Sequence, residues 1–120
     1  MLKISSQIEN QVCLLAIEGN LVLEGSQEIK KYVEDLLKDT SIKHLMMDFE
    51  KVGMIDSRGL GAVVSFHRTL KKREGHLVLC NFNQRCQEVF HITRLERVLV
   101  IYKTRPEALT FLKLPTDIPA

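Results

Sequence analysis

The residues whose types and spacing could do chemistry gather in one stretch of this 120-residue chain, GMIDSRGLGAV, residues 53–63. A carboxylate and a hydroxyl stand side by side there, Asp56 and Ser57, followed by Arg58. Gly59 and Gly61 then fall inside what otherwise reads as the first turns of a helix. A serine at a strand-to-helix turn lies among unpaired backbone N–H groups at the positive end of the helix dipole, which is an anion site. Asp56 or Ser57 can serve as the N-cap, and capping alone accounts for both residue types. It does not account for the neighbours. Arg58 opposes the dipole by ~0.3–1 kcal/mol, and each glycine costs a helix interior about 1 kcal/mol relative to alanine. A turn that must let another protein's backbone approach a serine hydroxyl explains all three; close packing against a strand is the competing account for one of the glycines.

Other chemistries fit less well. A hydrolase using Ser57 as nucleophile needs a base and an oxyanion hole, and the stretch is not a G-x-S-x-G elbow. Asp48 and Asp56 suggest a paired-carboxylate Mg²⁺ site, but CLLAIEGN, the strand-like run before it, supplies only Glu18 where an acidic pair would be needed. The glycine spacing is neither GxGxxG nor a P-loop. His67, in the middle of an apolar helical stripe, reads as a neutral core histidine. The expectation is a protein that is not an enzyme, with no metal and no cofactor.

The elements that must position the serine alternate in type. LKISSQI (2–8) has the period of two of a half-exposed edge strand, and QVCLLAIEG, closed by Gly19, reads as a strand buried on both faces. From Ser26 to Lys38, Ile29, Tyr32, Val33, Leu36 and Leu37 form the stripe of an amphipathic helix. IKHLMMDFE is strand-like. After the serine turn, Leu60, Val63, Val64, His67 and Leu70 mark a helical face that Gly75 ends. HLVLCN reads as a strand, Asn83 as the cap of a short helix with Cys86, Val89 and Phe90 inside, and RVLVIY (97–102) as the last strand. Thr104 and Glu107 have capping-box spacing, with Pro106 in the first turn of a final helix through Leu112. The order is β-β-α-β-α-β-α-β-α, which predicts an α/β fold: a mixed sheet of about five strands packed by about four helices. Residues 1–114 are expected to form one domain, and 115–120 a flexible tail.

Composition is that of an ordinary globular domain, with 45% hydrophobic and 27% charged residues and a formal net charge of +2. That charge is too small to imply a nucleic-acid partner. Three cysteines, without a CxxC, fit free thiols in a reducing cytoplasm. No segment approaches the ~18 apolar residues of a membrane span.

IDSRGLGAV resembles the D-S-[ST]-G-L-G motif of the STAS domain, the fold of the bacterial anti-sigma factor antagonists, and EGNL after the second strand resembles that family's G-x-L-D. The resemblance extends over nearly the whole chain, including the element order. It implies that Ser57 is phosphorylated by a partner that is both anti-sigma factor and serine kinase, that the unphosphorylated form binds this partner and frees a sigma factor, and that a PP2C-type phosphatase resets the switch. It assigns Asp56, Ser57, Arg58, Gly59 and Gly61 to the partner surface. Arg58 stands where the family has a second Ser or Thr. Val22 stands where it has an acid, with Glu24 two positions on, and both join that surface. The resemblance also allows a constitutive interaction subunit of a larger machine, such as a lipid-transport ATPase, or a small-ligand-binding module. A monomer or weak dimer is expected.

Overall fold

Two long strands form the middle of the molecule, β2 (Val12–Leu21) and β3 (His44–Ile55). On one flank β1 (Lys3–Glu9) pairs antiparallel with β2; on the other β4 (Leu77–Cys80) and β5 (Val100–Tyr102) continue parallel to β3, in the order β1-β2-β3-β4-β5. Four helices connect and cover them: α1 (Glu24–Leu36), α2 (Ser57–Lys72), α3 (Gln84–Ile92) and α4 (Arg105–Phe111). The structure, a computed structural model, describes residues 1–119. The mixed sheet and the strand and helix order are those expected.

The sequential strand order dictates where the helices go. Each crossover from β2 to β5 steps one strand in the same direction, and right-handed connections then place α1, α2 and α3 on one face. Cys13, Leu15 and Ile17 of β2, Leu45, Met47 and Phe49 of β3, and Leu77 and Leu79 of β4 point to that face. There they meet Ile29 and Val33 of α1, Ala62, Val63, Phe66 and Leu70 of α2, and Cys86 and Phe90 of α3. The other face is covered by α4 and the C-terminal segment. Val12, Leu14, Met46, Val78 and Cys80 pack there against Ala108, Leu109 and Leu114. In the segment after Leu114, Ile118 packs on this second core, and Arg105 donates to the carbonyls of Ile118 (3.2 Å) and Pro119 (2.8 Å). A sheet face that no crossover helix covers gives those apolar residues somewhere to go.

Several boundaries differ from the expected ones. β2 passes Gly19 to reach Leu21, with register shifts against β3 on either side, and β3 continues to Ile55. The serine turn therefore begins at Asp56. β5 is only three residues, because a single 3-10 turn (Leu95–Arg97) precedes it. At the end of α2 it is Glu74 that takes the left-handed conformation (φ 59°), while the Gly75 N–H reaches back to the Leu70 carbonyl at 2.8 Å, closing a Schellman turn. Asn83 caps α3, and Thr104 with Glu107 forms the capping box of α4, as expected. All three cysteines are free and buried, and burial pushes the Cys13 and Cys80 thiols up to about 11 and about 12.

The helix that carries Ser57 is rotated from its expected orientation. Gly59, Ala62, Val63, Phe66 and Leu70 face inward, whereas His67 is only half-buried and lies off the core. Burial first, then nearby Lys71, Arg68 and His76, holds the His67 imidazole below its ordinary pKa. The rotation gives the two glycines different tasks. A Cβ on Gly59 would stand 2.4 Å from the Leu21 carbonyl oxygen and 2.6 Å from Ile55 Cγ1, so this glycine lets α2 lie directly on the strand ends. A Cβ on Gly61 would meet nothing within 4 Å. Gly59→Ala should therefore destabilise the domain by ~1–3 kcal/mol through overpacking. Gly61→Ala should stabilise it by up to ~1 kcal/mol through helix propensity. Urea unfolding of the two variants measures both, and equal effects of the same sign would refute this division.

Candidate functional site

Ser57 is the first residue of α2, exposed, at the end where the longest strands of the sheet stop. The N-cap, which sequence left open between two residues, is Asp56, with extended backbone (φ −104°, ψ −173°). Its Oδ1 accepts the N–H groups of Arg58 and Gly59, each at 3.0 Å, and its carbonyl accepts the Leu60 N–H at 2.9 Å. Orphan donors of the first turn are thus satisfied by a single residue.

The same carboxylate also reaches across to the β2–α1 turn. Asp56 Oδ2 accepts the Leu23 N–H at 3.1 Å, and Oδ1 accepts the Ser26 hydroxyl at 3.2 Å. The backbone adds a third tie, Asp56 N–H to the Leu21 carbonyl at 3.1 Å. Beside it, Asn20 Oδ1 accepts the Met54 N–H at 3.1 Å. The GNL segment and the serine turn are therefore one unit, held by side chains thirty or more positions apart in sequence. Donors directed at an anion favour its charged form. The Gly59 amide above all, with Leu23, Ser26 and Arg58 adding to it against the opposing effect of desolvation, holds the Asp56 carboxyl below its ordinary range.

The expected partner-surface residues separate into two groups. Ser57, Arg58 and Gly61 are exposed on the first turns of α2, and Glu24 is exposed in the first turn of α1. Val22 is half-buried in the turn between them, where its carbonyl accepts the Gly25 N–H at 2.9 Å. Asp56 and Gly59 act from within, the first through its hydrogen bonds and the second through its contact with β2. Leu23 was not singled out from sequence. It is 60% exposed, at the N-cap of α1, and takes φ 49° and ψ −122°. Nothing in hydropathy or spacing marks it; only the backbone geometry does.

Asp48 is not part of this site. It lies eight residues earlier on β3, roughly 25 Å along an extended strand, on the opposite face under α4. Only 4% exposed, it accepts the Glu50 N–H and the Asn81 amide at 3.0 Å each and faces Arg105 at 3.7 Å. The two carboxylates do not form a pair. Among the described residues no group of three or more His, Cys, Asp or Glu side chains could hold a metal ion, and no helix is long and apolar enough to cross a membrane.

Asp56→Asn separates the two functions of the carboxylate. The amide oxygen can still cap α2, but an NH₂ group would face the Leu23 N–H, donor to donor. The loss should be ~1 kcal/mol at pH 7. A depressed carboxyl pKa stabilises the fold above the unfolded value near ~4 and ceases to do so as pH falls through the folded value. The gap between wild type and Asp56→Asn should accordingly narrow from pH 7 to pH ~2. Denaturant titrations at the two pH values check it, and a constant gap would mean the Leu23 tie carries no weight.

Comparison with known proteins agrees with this fold. A candidate anti-sigma factor antagonist from Thermotoga neapolitana is 30% identical over 103 residues, 86% of this chain and 91% of its own length. The crystal structure of a candidate anti-sigma factor antagonist from Thermotoga maritima superposes with a TM-score of 0.86 at 25% identity, covering 92% of this chain and 94% of that one. The anti-sigma factor antagonist SpoIIAA in its unphosphorylated form matches with a TM-score of 0.72 at 18% identity, over 94% and 98% of the two chains. The phosphorylated form of Bacillus SpoIIAA also gives 0.72, at 19% identity over 92% and 99%. Residues 3–108 match the STAS domain family model, and the chain belongs to that family.

Proposed function

We propose that this protein is a non-enzymatic anti-sigma factor antagonist of the cytoplasm, switched by phosphorylation of Ser57. In this reading the unphosphorylated form binds an anti-sigma factor that is also a serine kinase. Phosphorylation ends the binding, and a PP2C-type phosphatase restores it. The observation that carries the reading is the exposed Ser57 hydroxyl on the first turn of α2, on a backbone held by Asp56. Such a hydroxyl is open to a kinase without any unfolding.

The physical consequence of phosphorylation depends on position. Phosphoserine carries about −1.5 to −2 charges at neutral pH. At a helix N-terminus such charge is favourable by ~0.3–1 kcal/mol, and the first turn is capped independently of the Ser57 side chain. The domain should keep its fold. That SpoIIAA matches this fold equally well in both phosphorylation states supports the same view. Loss of binding then arises at the interface, where an approaching surface must desolvate the phosphate without pairing it. That costs ~2–5 kcal/mol, or about one and a half to nearly four decades in affinity.

Mass spectrometry of the protein from its native cells should find phosphate on Ser57. With the serine kinase as titrant, Ser57→Ala should bind nearly as wild type and resist phosphorylation. Ser57→Asp should melt within a few degrees of wild type yet bind by more than about tenfold less. Equal affinity of the two variants, together with full competence of the phosphorylated chain, would replace the switch with a constitutive docking role.

A further inference from the structure

We infer that Leu23 is the anchor with which the Ser57 surface engages its partner, and that the partner presents an apolar socket to receive it. The inference rests on the partner-switch reading above and adds the chemistry of the contact. Three independent choices at this position run against the fold. Helix N-caps favour Ser, Thr, Asp or Asn, whose side chains satisfy orphan N–H groups; Leu23 is the N-cap of α1 and makes no side-chain cap. Its φ of 49° with ψ −122° belongs to glycine in a tight turn, and a bulky residue is strained there. Its side chain is 60% exposed, so burial within the chain does not compensate.

What the fold needs from position 23 is backbone. The N–H donates to Asp56 Oδ2 at 3.1 Å, and the carbonyl accepts the Ser26 N–H at 3.1 Å. Glycine would supply both without strain. The leucine side chain is therefore unexplained by stability, and strain retained beside a candidate site points to a function for the group that causes it.

Its surroundings indicate the occupant. Asp56 ties the Leu23 backbone to the cap of the helix that carries Ser57, which places the exposed leucine at the same rim as the exposed serine. Half-buried Val22 precedes it, and Met54, 36% exposed, lies on the adjoining strand end, one residue from the Leu21–Ile55 pair. The residues around the serine turn thus include apolar Val22, Leu23 and Met54 beside the exposed charges of Glu24 and Arg58. A partner built for it offers a socket of leucine size, with Glu24 and Arg58 available at its edges.

The test uses the full chain and the purified anti-sigma factor kinase that binds it, titrated calorimetrically, with thermal melting of each variant. Leu23→Gly should bind at least about tenfold more weakly while melting no lower than wild type. Leu23→Met, which keeps an apolar group of similar volume, should stay within about threefold, and Leu23→Asp should be weaker than Leu23→Gly. If Leu23→Gly binds within about twofold of wild type while Ser57→Asp has lost binding, the anchor is refuted and the switch stands. If neither substitution alters affinity, the switch reading falls and the anchor with it. A clear drop in the melting temperature of Leu23→Gly would show that the side chain serves the fold, which also overturns the inference.

Discussion

One carboxylate ties together the two turns that flank Ser57. Asp56 accepts hydrogen bonds from Arg58, Gly59, Leu23 and Ser26, so the cap of α2 and the entry to α1 are the same interaction. Charge-assisted bonds to an ionised group are about twice as strong as neutral ones, and here they join segments 30 and 33 positions apart. Pairing of Leu21 with Ile55, the Asp56 N–H to the Leu21 carbonyl and the Asn20–Met54 bond already bring the two turns together, and the carboxylate adds the side-chain tie. With it they form a single rim whose backbone carries an exposed hydroxyl, a cation and an exposed leucine.

The rest of the architecture delivers those turns to one place. Parallel strands in sequential order bring the ends of β2 and β3 side by side, paired from Val12–His44 to Leu21–Ile55. Right-handed crossovers put α1 and α2 next to each other on the same face. Gly59 then allows α2 to rest on the Leu21 carbonyl, which lowers the serine turn onto the neighbouring strand end. The second core, under α4, is not involved. Its buried Asp48–Arg105 contact secures the helix that covers the opposite face.

Much of this was legible in the residues alone. Periodicity and capping chemistry carried the element order, because Asn83, Thr104 and Glu107 act locally on the backbone of the helices they open. The orientation of α2 was not legible. A face through Leu60, Val63, Val64 and His67 and a face through Gly59, Ala62, Val63 and Phe66 share helical spacing, and hydropathy favours the first. Close packing decided for the second, since only a glycine and an alanine bring the helix near enough to the strands. Leu23 was hidden for a related reason: its oddity lies in a dihedral angle and in exposure, neither of which a residue type reports. The serine itself was visible because its neighbours, a capping acid and an ill-placed arginine, alter local energetics.

The central claim is that phosphate at Ser57 changes a surface and leaves the turn beneath it intact. Residue-resolved amide hydrogen exchange, comparing the chain before and after stoichiometric phosphorylation of Ser57, tests this directly. The amides of Leu23, Arg58 and Gly59 report the Asp56 hydrogen bonds one by one. Their protection should be unchanged, within about a factor of three, in a phosphorylated chain that no longer binds the kinase. Loss of protection at these amides would contradict the account, because the phosphate would then act by repelling Asp56 and opening the turn.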